Sequence, residues 1–186
     1  EKCPIWGWDD SDKQVTVEFA GQKHTAKVGD DGRWEVHLDP MKANAKGQTL
    51  TIRGSSKLEL TDVLVGEVWL CSGQSNMEWT VSRSANPKEE IANGNHPLIR
   101  HIKVPHQLSA TPKDDLRTGG WQVCSPKVVA NFTAVGYYFA RHLQGEIKVP
   151  IGLIGSNWGG TRIEPWTPPV GFKAIKQLES ITGKLD

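Results

Sequence analysis

Two short apolar, β-rich runs, each closed by a small polar turn and separated by a stretch of helical period, constrain this chain more than any other feature. Glu67-Val68-Trp69-Leu70-Cys71 ends in Ser72-Gly73 and, with Val63-Leu64-Val65 just before it, reads as a strand buried on both faces of a parallel sheet. Pro150-Ile151-Gly152-Leu153-Ile154-Gly155 reads the same way and ends in Ser156-Asn157-Trp158-Gly159-Gly160-Thr161. Between them, Asn131 to Gln144 carries Phe132, Val135, Phe139 and Leu143 at helical spacing, with Gly145 as a C-terminal stop. Strand, helix, strand predicts an α/β unit with a right-handed crossover.

The first third has a different period. Gln14-Val15-Thr16-Val17-Glu18-Phe19 and Arg33-Trp34-Glu35-Val36-His37-Leu38 alternate with period two, and Ala20-Gly21-Gln22 turns the first towards a return strand at His24 to Val28. With Gln48 to Gly54 and Lys57 to Leu60 they predict a small antiparallel β-sandwich. The expected organisation is therefore a sandwich-like domain over residues 1–62 and an α/β portion over 63–186. Ser82 to Asn95 and Pro105 to Gly120 read as polar surface loops.

Composition narrows the function classes. Twenty-two Lys and Arg against 21 Asp and Glu, with no basic block, give no electrostatic reason for a nucleic-acid or anionic-membrane partner. No apolar run approaches the roughly 20 residues that span a bilayer, and Glu1-Lys2-Cys3-Pro4 lacks the layout of a signal peptide, so export would require a signal absent from this sequence. Cys3, Cys71 and Cys124 have no metal-ligand spacing and, being three, cannot all pair within the chain. Most of the eight tryptophans are expected in the core, because large aromatics dominate core burial.

Ser75 lies just past the first buried strand, at a turn into a helix. Open α/β sheets bind ligands at the carboxyl ends of their strands, and a serine there exposes its hydroxyl while its N–H joins the positive end of a helix. A serine hydroxyl needs a histidine, itself oriented by a carboxylate, before it acts as a nucleophile. By spacing alone, Gly73-Gln74-Ser75-Asn76 reads first as a polar turn and N-cap, ahead of a nucleophile.

The run Gly66-Glu67-Val68-Trp69-Leu70-Cys71-Ser72-Gly73-Gln74-Ser75-Asn76-Met77-Glu78-Trp79 resembles the nucleophile segment of the sialate O-acetylesterases, carbohydrate acetylesterases of the SGNH hydrolase superfamily. Pro150 to Ile154 and Trp158-Gly159-Gly160-Thr161 with Glu164 and Trp166 are similar to the next block of that family, and Ile5-Trp6-Gly7-Trp8 with its hairpin to the N-terminal β-domain. The resemblance implies the first half of an SGNH-type parallel sheet after the β-sandwich, and a metal-free, cofactor-free serine esterase that removes O-acetyl groups from sugars. It implies Ser75 as nucleophile and oxyanion N–H donor, with Gly160 or Gly159 as the second donor. Gln74 and Asn76 would border the substrate, Gln74 fixing the turn, while Trp158 walls the sugar and Arg162 meets a carboxylate. Sialic acid, xylan or another acetylated polysaccharide, and a non-catalytic carbohydrate-binding or assembly module, remain the alternatives. An exported protein is expected.

The family's base is a histidine in an Asp-x-x-His segment, and none of His24, His37, His96, His101, His106 and His142 follows an aspartate by three residues. The general base His and Asp are therefore expected from a C-terminal segment or chain of the same precursor, with His96, His101 and His106 the in-chain candidates. Gln144-Gly145-Glu146 spells the family's later Gln-Gly-Glu motif in the wrong place and reads as a coincidence. Asn131-Phe132-Thr133 fits a glycosylation acceptor or a helix cap by Asn131. Cys71 reads as a small buried residue beneath the nucleophile.

Overall fold

The computed structural model describes residues 1–109 and 111–176. They form two compact units, one of Glu1–Trp69 with His142–Gly152, the other of Leu70–Arg141 with the residues from Leu153 onward. The chain is a mixed α/β structure with antiparallel sheets and one sheet that contains parallel strands.

In the first unit, β1 (Cys3–Trp8) pairs antiparallel with β4 (Arg33–Leu38). A second sheet runs in the order β3 (Gln22–Lys27), β2 (Gln14–Phe19), β5 (Asn44–Arg53), β6 (Lys57–Val65). The period-two pattern is visible in the burial: Val15, Val17 and Phe19 of β2 and Trp34, Val36 and Leu38 of β4 point into one core with Val28 and Leu50. Ala20 and Gly21 both have positive φ, 51° and 78°, which is the two-residue turn whose twist matches a β-hairpin. β6 runs through the boundary expected after residue 62, and Val63 and Val65 pack on this first core.

The second sheet region has the order β7 (Glu67–Gly73), β10 (Ile151–Asn157), β8 (His96–Lys103), β9 (Gln122–Cys124). Glu67 N–H donates to Pro150 O at the start of β7 and β10, and Trp158 N–H to Gly73 O at their ends, so the two strands run parallel. Val104 N–H donates to Gly155 O just past the end of β8, which aligns that strand the same way. β8 is the strand that sequence reading passed over. Its alternation places only Ile99 and His101 inward, and a buried histidine breaks the apolar signature. The stretch before it, expected as loop, contains helix α2 (Pro87–Ala92).

Four expectations are corrected. β7 is an edge strand, and Val68, Trp69 and Leu70 are 59%, 42% and 66% exposed instead of buried on both faces. Helix α3 (Ala134–Ile147) starts three residues later than Asn131 and buries Ala134, Gly136, Tyr137 and Ala140, leaving Val135 and Phe139 outward. Apart from Tyr137 the contact face is made by small residues, so a search for large apolar residues finds the opposite one. Gly145 lies inside α3, which ends at Ile147 before Lys148 turns to φ 57°. Of the eight tryptophans, only Trp34 is buried.

Gly136 is what lets α3 approach β7. A Cβ there would lie 2.8 Å from Cys71 Sγ and 2.7 Å from Thr133 Cγ2, closer than carbon atoms pack. Cys71 is accordingly buried, and burial raises its thiol pKa. Gly136→Val should lower stability by about 1–3 kcal/mol through overpacking, read as a fall in the urea midpoint at unchanged slope.

Candidate active site

The site lies wholly in the second unit, where the carboxyl ends of β7, β10 and β8 adjoin. β7 ends at Gly73, whose φ of 141° suits glycine, and the chain enters the one-turn helix α1 (Ser75–Glu78). Met77 and Glu78 N–H both donate to Gln74 O at 3.0 Å, so the carbonyl of Gln74 closes the turn and its amide side chain does not. A single turn is not self-sustaining. It is held from outside: the Thr133 hydroxyl donates to Met77 O at 2.6 Å, Ala134 N–H to Trp79 O at 2.7 Å and Val81 N–H to Phe132 O at 3.1 Å. Thr133, rather than Asn131, sits before α3, and its hydroxyl also accepts from Gly136 N–H at 3.5 Å.

Ser75 is exposed at the first position of α1, and no described residue hydrogen-bonds its hydroxyl. Asn76 is exposed beside it. Opposite lies the turn after β10. A Cβ built on Gly159 would be 3.4 Å from Ser75 Cα and 2.9 Å from Glu78 Oε2, so this main chain runs in direct contact with α1. Gly160 follows in left-handed conformation, φ 78°, with open space around it.

Sequence reasoning missed the group that organises this corner. Glu78 Oε2 accepts from Gly159 N–H at 2.6 Å, while Oε1 lies 2.8 Å from His106 Nε2 and 3.7 Å from Lys103 Nζ. His106 Nε2–H also reaches Asn157 O at 3.0 Å, and the imidazole stacks on Trp158 with ring centres 4.2 Å apart. Asn157, almost fully buried, donates through Nδ2 to Cys71 O at 3.1 Å and receives Lys103 on both its main-chain and side-chain oxygens. Burial opposes ionisation of Glu78, but the Gly159 N–H, the Lys103 charge and His106 outweigh it and hold the carboxyl below the usual glutamate range. Lys103 is lowered by burial, against the pull of Glu78. The only sequence signal for this cluster was Glu78 three residues beyond Ser75, which brings both side chains to one side of a helical turn.

The in-chain histidines divide. His106 is at the site. His101 is buried, stacks on Phe132 at 4.6 Å, and its Nε2 has no partner among the described residues. His96 packs near Tyr137, 5.9 Å between ring centres. Arg162 is exposed and makes no ion pair with Glu164 among the described residues. Trp166 Nε1 donates instead to Thr161 Oγ1, which bonds Trp158 O, so this tryptophan steadies the turn. A cavity of about 190 Å³ opens among Glu78, Thr80, His101, Lys103, Thr133 and Asn157.

Comparison with known proteins shows the family. The family model described as carbohydrate esterase, sialic acid-specific acetylesterase matches residues 65–181. The chain belongs to that family. It is 34% identical to the sialate O-acetylesterase of Pongo abelii over 96% of this chain and 39% of the relative, and 35% identical to that of Mus musculus over 91% and 35%. A crystal structure of a carbohydrate acetylesterase from Xanthomonas citri superposes with a TM-score of 0.89 at 35% identity, covering 96% of this chain and 41% of that one. The chain thus spans about two-fifths of the length of the curated relatives it matches.

Burial and, secondarily, the Lys103 charge lower the His101 pKa from 6.5 to about 4. The unfolded chain therefore binds the proton first, and stability should fall as pH drops from about 6.5 towards 4, by at most about 1.4 kcal/mol per pH unit. Urea titrations across that range should show the slope in the wild type and its reduction in His101→Leu.

Proposed function

We propose that this chain carries the nucleophile of a serine esterase that removes O-acetyl groups from sugars, in the manner of a sialate O-acetylesterase. The observation that carries the reading is the exposed Ser75 at the start of a helical turn, with Gly159 so near that a Cβ on it would lie 3.4 Å from Ser75 Cα, in a chain of this esterase family. Ser75 Oγ attacks the acetyl carbonyl as a histidine takes its proton. The carbonyl oxygen becomes an oxyanion facing N–H donors. Collapse returns the proton to the departing sugar oxygen and leaves acetyl-Ser75, which water then cleaves to acetate and free serine.

The N–H groups of Ser75 and Gly160 have no acceptor among the described residues and suit the oxyanion, whereas Gly159 N–H is already committed to Glu78. Each such donor is typically worth about 3 kcal/mol in the transition state. Trp158 offers an aromatic wall, and Gln74, Asn76 and Arg162 are exposed around the nucleophile segment and the facing turn. The substrate class is an acetylated sialic acid or another acetylated glycan such as xylan.

The base and its carboxylate come, in this reading, from a C-terminal segment or chain of the same precursor. His106 is held by Glu78 and Asn157 O and is not bonded to Ser75. The exposed apolar edge of β7 supports the same view, since a soluble sheet does not leave Val68, Trp69 and Leu70 open. That further segment would pair with β7 and complete the SGNH-type sheet, with the first unit as a β-sandwich accessory domain. Export, as a secreted, periplasmic or lysosomal protein, fits an enzyme of glycans.

A second reading rests on Trp6 and Trp8, which are 42% and 49% exposed on β1 and meet edge to face at 5.4 Å. Such a pair can hold a glycan without any chemistry. In the full-length protein, Ser75→Ala should reduce acetyl-ester turnover on the order of 10⁶-fold while the protein stays folded, and a serine-directed phosphonate should label Ser75. Retained turnover in Ser75→Ala sinks the esterase mechanism, and an unlabelled Ser75 favours the binding module.

A further inference from the structure

We propose that Glu78 is a positioning residue that sets the oxyanion turn against the nucleophile. The inference rests on the acyl-Ser75 reading and adds the group that holds its two halves in register. Glu78 is three residues beyond Ser75 on the same helical turn, so the carboxylate moves with the nucleophile. Its two oxygens have separate tasks. Oε2 takes Gly159 N–H at 2.6 Å, and Oε1 is fixed by His106 Nε2 at 2.8 Å and Lys103 Nζ at 3.7 Å. The carboxylate is thereby clamped from the β8 side while it grips the turn after β10.

The consequence falls on the next peptide. With Gly159 N–H drawn to Glu78, the orientation of the following unit is set, and Gly160 N–H is left without an acceptor among the described residues. A side chain at Gly159 would displace the carboxylate, since a Cβ there would lie 2.9 Å from Glu78 Oε2. One other bond links the two turns, Trp158 N–H to Gly73 O at 3.0 Å. Removing Glu78 therefore lets the turn pivot about Trp158 without detaching it. A pivot of about 1 Å at a catalytic donor costs on the order of 10²-fold in rate.

An amide at position 78 separates the hydrogen bond from the charge. Gln keeps a carbonyl oxygen for Gly159 N–H and loses the attraction to Lys103 and His106. The test uses the full-length protein with Glu78→Ala, Glu78→Gln, Gly159→Ala and Ser75→Ala, following acetyl-ester kinetics, phosphonate labelling of Ser75 and the urea midpoint. Glu78→Ala should lower kcat roughly 10- to 100-fold with KM within about two-fold, and slow labelling in step. Glu78→Gln should recover kcat to within about five-fold of wild type, because the Gly159 bond persists. Gly159→Ala should reproduce the kcat loss with Glu78 present, which keeps the proposal testable if Glu78→Ala does not fold.

Wild-type kcat in Glu78→Ala, beside an inactive Ser75→Ala, overturns the positioning role and leaves the nucleophile standing. So does a Glu78→Gln protein as impaired as Glu78→Ala, or a kcat loss that a lower folded fraction accounts for. Activity in Ser75→Ala overturns the reading beneath both.

Discussion

Asn157 is the interaction on which the site depends. It ends β10 almost fully buried, and its side chain bonds Cys71 O of β7 on one side and Lys103, at the end of β8, on the other. A buried amide is costly unless its donors and acceptors are met, and here both are. Because each partner lies at the carboxyl end of its own strand, satisfying Asn157 aligns three strand ends. Everything chemical in the second unit is displayed from that line: Ser75 beyond β7, Trp158-Gly159-Gly160 beyond β10, Lys103 and His106 at and beyond β8.

Charge then does what a one-turn helix cannot do for itself. Four residues of α1 have too few internal bonds to hold Ser75 still. Glu78 supplies an anion at the meeting point of a main-chain N–H, an ammonium and an imidazole, and those partners keep it ionised against its burial. Lys103 is paired with both Asn157 and Glu78, so the neutral and the charged parts of the network are one structure. Serine esterase chemistry demands that donor and nucleophile hold their spacing while charge moves from one atom to another. The chain belongs to a carbohydrate acetylesterase family, and the proposed reading places that demand on this corner.

The antiparallel strands of the first unit and the strand-to-turn passage that carries Ser75 were legible in the sequence. Alternation in Val15, Val17, Phe19 and Trp34, Val36, Leu38 is a local property of two strands, and Ala20-Gly21 is a local turn. Less was legible where packing uses small or polar residues. α3 turns Gly136 inward where Cys71 leaves no room for a larger side chain, and β8 hides behind His101. Tryptophan numbers misled for a related reason, since most of those rings face outward and only Trp34 fills a core.

The sequence by itself determined the kind of chemistry on offer: a serine at the end of an apolar strand, a glycine pair at the end of another, and a strand-turn character at each that follows from local composition. Only the tertiary structure decided which N–H each glycine has left to give, and that Glu78, Lys103 and His106 belong to the same site. Those facts depend on three strand ends lying side by side, a relation between residues 25 to 81 positions apart that no local pattern encodes.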